Sequence, residues 1–74
     1  MNYEYADAYI EVMCSQYYNG EPNLRRIKKS IIKTISQFKG KDGKPFVIIW
    51  VEGETYYFHG TMEEFDKNSK TIFI

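Results

Sequence analysis

One cysteine, Cys14, in a chain of 74 residues leaves no partner for an internal disulfide. One histidine, His59, stands far from it with no paired-ligand motif, so a structural zinc site lacks its donor set. Nucleophilic catalysis is equally poorly supplied, because no local signature places a base beside Cys14 or a serine. No apolar run approaches the ~20 residues that span a bilayer, and no signal-peptide pattern opens the chain. A soluble, cytoplasmic protein is expected. Net charge is absent too: ten acidic residues cancel ten basic ones. That balance argues against a simple polycation and against a uniformly acidic mimic of nucleic acid. A chain this short hides only about 60% of the surface its unfolded form exposes. Residues 1–74 therefore read as one small domain held by apolar packing alone.

Aromatic residues are abundant: seven Tyr, five Phe and one Trp. Tyr3, Tyr5, Tyr9, Tyr17 and Tyr18 crowd the first quarter, and Tyr56 and Tyr57 follow much later. Large rings fill a small core economically, and Tyr with its polar tip is also favoured at interfaces. The zero net charge conceals segregation. Residues 1–22 carry Glu4, Asp7, Glu11 and Glu21 without a base. Residues 23–45 carry Arg25, Arg26, Lys28, Lys29, Lys33, Lys39, Lys41 and Lys44 against Asp42 alone. Residues 46–74 are again acidic. Local fields, not net charge, should steer a partner.

In residues 5–18, Ala6, Tyr9, Ile10, Met13 and Tyr17 fit one helical face, and Asn19-Gly20 supplies a stop. Alternation through Ile10, Val12 and Cys14 also suits a strand, but the alternate residues are not consistently polar, so a helix is expected. From Pro22 onward, Leu24, Ile27, Ile31, Ile35 and Phe38 recur at three- and four-residue steps, within a stripe about 80° wide. Arg25, Lys29 and Lys33 repeat every four residues and, with Arg26, occupy the opposite face. Phe46 to Val51 reads as a buried strand, Glu52-Gly53-Glu54 as a tight turn, and Thr55 to His59 as the return strand. Asp66 to Lys70 reads as a second turn and Thr71 to Ile74 as a third strand. The expected fold is α+β: two N-terminal helices, then a three-stranded antiparallel β-meander. Ile31 and Ile35 should be buried where the second helix meets the sheet, with Trp50 or its neighbours opposite.

Residues 46–74 carry Val47, Ile49 and Val51, then Gly53, Gly60, Met62, Phe65 and Asp66, ending with Ile72 and Ile74. This pattern resembles the first motif of the Sm-like RNA-binding family. The resemblance implies a bent meander with Gly60 at the bend, and it aligns Asp66 and Asn68 with the motif's Asp and Asn. The chain stops before the second Sm motif, which in that family completes the barrel and much of the RNA pocket.

Glu63, Glu64 and Asp66 read as the solvated end of a hairpin. Asp66-Lys67-Asn68 opens like a calcium loop but lacks the glycine at its sixth position, and Gly40 to Lys44 lacks the spacing of a phosphate-gripping loop. No catalytic constellation, metal site or cofactor site is expected, so the expectation is a protein that is not an enzyme. The basic stripe is the strongest functional signal, and the candidate partner-binding residues are Arg25, Arg26, Lys29 and Lys33 with Tyr17, Tyr18 and Tyr57 as anchors. Size and Lys/Ile/Tyr/Asn-rich composition look like those of small phage or mobile-element proteins, many of which inhibit or regulate a host machine, anti-CRISPR proteins among them. The leading expectation is therefore a non-catalytic interaction protein for a protein or nucleoprotein partner. The alternative is a small nucleic-acid binder using the basic helix and exposed strand aromatics. Pairing of the C-terminal edge strand, Thr71 to Ile74, would make a homodimer.

Overall fold

The computed structural model describes residues 8–73. Tyr3, Glu4, Tyr5, Asp7 and Ile74 lie outside them. In chain order the elements are β1 (Ala8–Cys14), β2 (Asn23–Lys28), a 3-10 turn (Lys29–Ile31), β3 (Ile32–Lys39), β4 (Pro45–Val51), β5 (Glu54–His59), α1 (Met62–Asn68) and β6 (Lys70–Phe73). The strands form two three-stranded antiparallel sheets, ordered β2-β1-β6 and β3-β4-β5.

Neither expected N-terminal helix is present, and the physical reasons are visible along the chain. In β1 the alternation prevails: Ala8, Val12 and Cys14 are buried while Met13 is exposed. In the second segment, five of the nine residues from Ile27 to Ile35 are β-branched, a composition that fits a pleated sheet better than a helix. Their helix-like spacing comes from interruptions of a strand pattern. The 3-10 turn separates Ile27 from Ile32, and a bulge at Lys33 shifts the register between Ile32 opposite Val51 and Thr34 opposite Trp50. One extra residue flips strand parity, so Ile32 and Ile35 both pack against the core at a spacing of three. Leu24 and Ile31, assigned to the helical core stripe, are 62% and 37% exposed. Ile35 does pack against the core, from a strand and not a helix, and faces Ile49, the neighbour of Trp50.

A three-stranded meander exists, but one strand earlier than expected. It is β3-β4-β5, and β6 crosses to pair with β1, from Ala8 opposite Phe73 to Glu11 opposite Lys70. The β4–β5 hairpin turns through Gly53 at φ 84°, as its sequence implies. The turn expected at Asp66 to Lys70 is instead the end of α1 and the start of β6. A capping box starts that helix: the Thr61 hydroxyl accepts from the Glu64 amide at 3.1 Å, and the Glu64 carboxylate accepts from the Thr61 amide at 2.8 Å. Gly60 ends β5 at φ 152°, where a Cβ would lie 2.9 Å from both the Phe58 ring and the Glu64 carboxylate.

Two hydrogen bonds join the sheets at one corner, Ser15 amide to Tyr57 carbonyl at 3.0 Å and Tyr57 amide to Ser15 carbonyl at 2.8 Å. Val12, Cys14 and Ile27 from the first sheet pack with Val47, Ile49, Val51 and Phe58 from the second. Phe65 of α1 joins this core edge-on to Phe58, with ring centroids 5.3 Å apart. Among the described residues, no helix is long and apolar enough to cross a membrane.

Candidate functional site

With no helix to align them, the expected basic residues disperse. Arg25 and Arg26 are consecutive in β2 and project to opposite faces. The Arg25 side chain donates from Nε to the Cys14 carbonyl at 3.1 Å, and its guanidinium lies 5.6 Å from the Tyr56 ring centroid. Arg26 Nε donates to Glu11 Oε2 at 2.9 Å on the outer side of the first sheet. Lys29 sits in the 3-10 turn and Lys33 at the bulge. Tyr17 is 73% exposed. Tyr18 and Tyr57 do come together, their ring centroids 6.1 Å apart.

Their meeting place is the outer face of the second sheet. Val47, Ile49, Val51 and Phe58 point inward, so the alternate residues point out. Cross-strand register sets them in three rows: Phe38, Phe46 and His59; Ser36, Ile48 and Tyr57; Thr34, Trp50 and Thr55. Phe38 lies 5.8 Å from Phe46 in a stacked arrangement and 5.6 Å from Trp50 edge-on. Tyr18 extends the cluster from the loop after β1, edge-on to Phe46 at 4.9 Å and to His59 at 5.1 Å.

Tyr18 is held from three sides. His59 Nε2 donates to its backbone carbonyl at 2.7 Å. Its ring packs on Phe46, and its hydroxyl lies over Gly40, where a Cβ would collide with it. The β3–β4 turn beneath is closed by Gly40 amide to Lys44 carbonyl at 2.8 Å and by the Lys44 amide to Asp42 Oδ1 at 2.9 Å. Tyr18 and Asn19 divide the surface there into two clefts. One, of about 560 Å³, runs along Lys39, Gly40, Lys41 and Phe46. The other, of about 310 Å³, runs along Lys44, Pro45, His59 and Glu64.

Phe38, Phe46, Trp50, Lys39, Lys41 and Lys44 were not among the sequence-derived site residues. One signal could have found Phe46 and Trp50: in Phe46 to Val51 one parity is wholly aliphatic (Val47, Ile49, Val51), while both aromatics fall on the other, with Ile48 between them. A strand buried on both faces has no reason to sort its side chains so.

Burial pushes the Cys14 thiol up to about 11, against a smaller opposing pull from the Arg25 charge, so it is a protonated, inert group near neutrality. Burial, and then a hydrogen bond with Glu54, raise the Tyr56 hydroxyl above its ordinary value. Among the described residues, no three His, Cys, Asp or Glu side chains gather as metal ligands would. Asp66 and Asn68, aligned with the Sm-like motif, lie on α1, where Asn68 Nδ2 donates to the Glu64 carbonyl at 2.7 Å. No family model, curated protein or solved structure matches the chain.

Proposed function

We propose that the protein is a non-catalytic interaction domain that binds a protein partner through the outer face of its second sheet. The observation that carries this reading is the aromatic surface of Phe38, Phe46, Trp50 and Tyr57 with Tyr18, of which Phe38 is exposed and the others partly so. Aromatic side chains are enriched at interface centres, where they bury large areas at low entropic cost. A domain of this size suits a stoichiometric inhibitor or regulator. Single-stranded nucleic acid is the second reading, since aromatic rings beside Lys39, Lys41 and Lys44 resemble a stacking platform with a basic margin. Carboxylates near both ends of the face, Asp42 and Glu64 at one and Glu52 and Glu54 at the other, disfavour a polyanion laid along it.

The test is recovery of tagged protein from its native cells, with and without nuclease, in parallel with a Phe38→Ser/Trp50→Thr variant of native circular dichroism. A partner that survives nuclease and is lost from the variant supports the proposal. Equal recovery by the variant overturns it, and a nuclease-sensitive partner favours nucleic acid.

A further inference from the structure

We infer that the larger cleft beside Tyr18 is the anchor subsite of this interface and takes a short acidic segment of the protein partner. A carboxylate of that segment lies over Lys39 and Lys41, and an adjoining apolar side chain sits on Phe46. This rests on reading the outer face as a protein-binding surface.

The shape supports it first. The cleft, about 560 Å³, has a floor of Phe46 and Tyr18 and a rim of Lys39, Lys41 and Asp42, an apolar surface with two positive charges against one negative. The charges support it next. Lys39, Lys41 and Lys44 are exposed, and none is paired with a carboxylate among the described residues, where the one ion pair joins Arg26 to Glu11 on the other sheet. The nearest acid in sequence, Asp42, uses Oδ1 to accept the Lys44 amide and so serves the turn itself. An incoming carboxylate therefore meets two uncommitted ammonium groups, and burying its apolar neighbour on Phe46 lowers the local dielectric around them.

Preorganisation supports it third. Gly40 and Gly43 close the turn through backbone hydrogen bonds, and His59 fixes the Tyr18 carbonyl, so the walls stand ready before a ligand arrives. The limit on size comes from the surroundings. Asp42 is shared by both clefts, Glu64 lines the second, and Glu52 and Glu54 occupy the far turn, so one carboxylate fits between Lys39 and Lys41 while a longer run of negative charge is repelled.

The experiment is an amide chemical-shift titration of the whole protein with three probes: an acetylated Asp-Glu-Phe-Asp peptide, its Lys-Lys-Phe-Lys counterpart, and a short oligothymidylate. The acidic peptide should move the amides of Tyr18, Gly40, Lys41 and Phe46. A Lys39→Glu/Lys41→Glu variant should bind it about tenfold or more weakly, with charge attraction turned to repulsion. The basic peptide should leave those amides in place. Equal shifts from both peptides, no shifts at all, or tighter binding of oligothymidylate would each overturn the inference. Such a failure leaves the wider reading standing if the Phe38→Ser/Trp50→Thr variant still loses its cellular partner, and removes both if that variant keeps it.

Discussion

The two sheets present similar inner faces and very different outer ones. Inside, both offer small and β-branched side chains to a shared core: Val12, Cys14 and Ile27 against Val47, Ile49 and Val51. Outside, the first sheet pairs Glu11 with Arg26 in an ion pair and sets the exposed apolar residues Met13 and Leu24 opposite each other, with Tyr9 opposite Ile72 on the same face. The second shows Phe38, Phe46, Ile48, Trp50 and Tyr57 among Thr34, Ser36, Thr55 and His59, with no ion pair among the described residues there. Folding requires only the inner faces. The first sheet mixes charged and apolar side chains on its outer face, whereas the second gathers aromatic rings there, and the proposed interface rests on that difference. Phe38 is exposed on this face, and Phe46, Ile48, Trp50 and Tyr57 are half-buried against one another.

The largest effect should come from the inner side of the comparison. Ile49 is fully buried between the sheets, and Ile49→Ala should cost about 2–5 kcal/mol. In so small a domain that approaches the whole stability, roughly 3–5 kcal/mol. Urea denaturation followed by circular dichroism should show a largely unfolded variant. Ile48→Ala, one residue along and on the outer face, should cost much less, and equal costs would erase the distinction between the faces.

A second probe of the inner side uses pH. Cys14 is buried as a thiol, and its folded value of about 11 stands above the ordinary 9.0. For an acid raised on folding, the stabilisation is complete below the unfolded value and is lost as pH rises toward the folded one. Wild-type stability should therefore fall between about pH 9 and 11 more steeply than that of Cys14→Ala. Parallel alkaline profiles for the two proteins would show that the thiol is not the buried group responsible.

How much of this was legible in the sequence depends on which signals competed. The β4–β5 hairpin was legible because a continuous apolar run, a Glu-Gly-Glu turn and an aromatic return strand all point the same way. The segment from Leu24 to Phe38 was not, because a 3-10 turn and a one-residue bulge gave a strand pattern the spacing of a helix. The same misreading assembled Arg25, Lys29 and Lys33 into a stripe that strand geometry disperses. In β1 the two patterns overlapped, and cross-strand pairing on both edges, which no local window contains, settled it. Tyr18 and Tyr57 were identified as single residues, but their neighbours Phe38, Phe46 and Trp50 belong to the site only through register.

A smaller effect should follow from unseating Tyr18. Gly40→Ala places a methyl group where the Tyr18 hydroxyl lies, so the ring must shift while the first sheet stays untouched. The expected cost is about 1 kcal/mol, typical of a single local clash that a loop can relieve. Amide shifts should change at Tyr18, Phe46 and His59 and remain constant through β2. Changes spread evenly over both sheets would mean that the aromatic face and the core are not separable.

The smallest effect is expected on the first sheet's outer face, and it sharpens the comparison most. Arg26 and Glu11 pair at 2.9 Å, but the arginine side chain is 56% exposed. Such a pair contributes roughly 0–1 kcal/mol, because water screens it and two side chains are held in one geometry. A double-mutant cycle of Arg26→Ala and Glu11→Ala should therefore give a coupling near the lower limit of detection in urea titrations. Arg26→Ala should also leave recovery of the cellular partner unchanged, whereas Phe38→Ser/Trp50→Thr should abolish it. Arg26 was itself a sequence-derived contact residue, so the measurement discriminates in both directions. Loss of the partner from Arg26→Ala would make the charged sheet part of the binding surface and end the division of labour between the two faces.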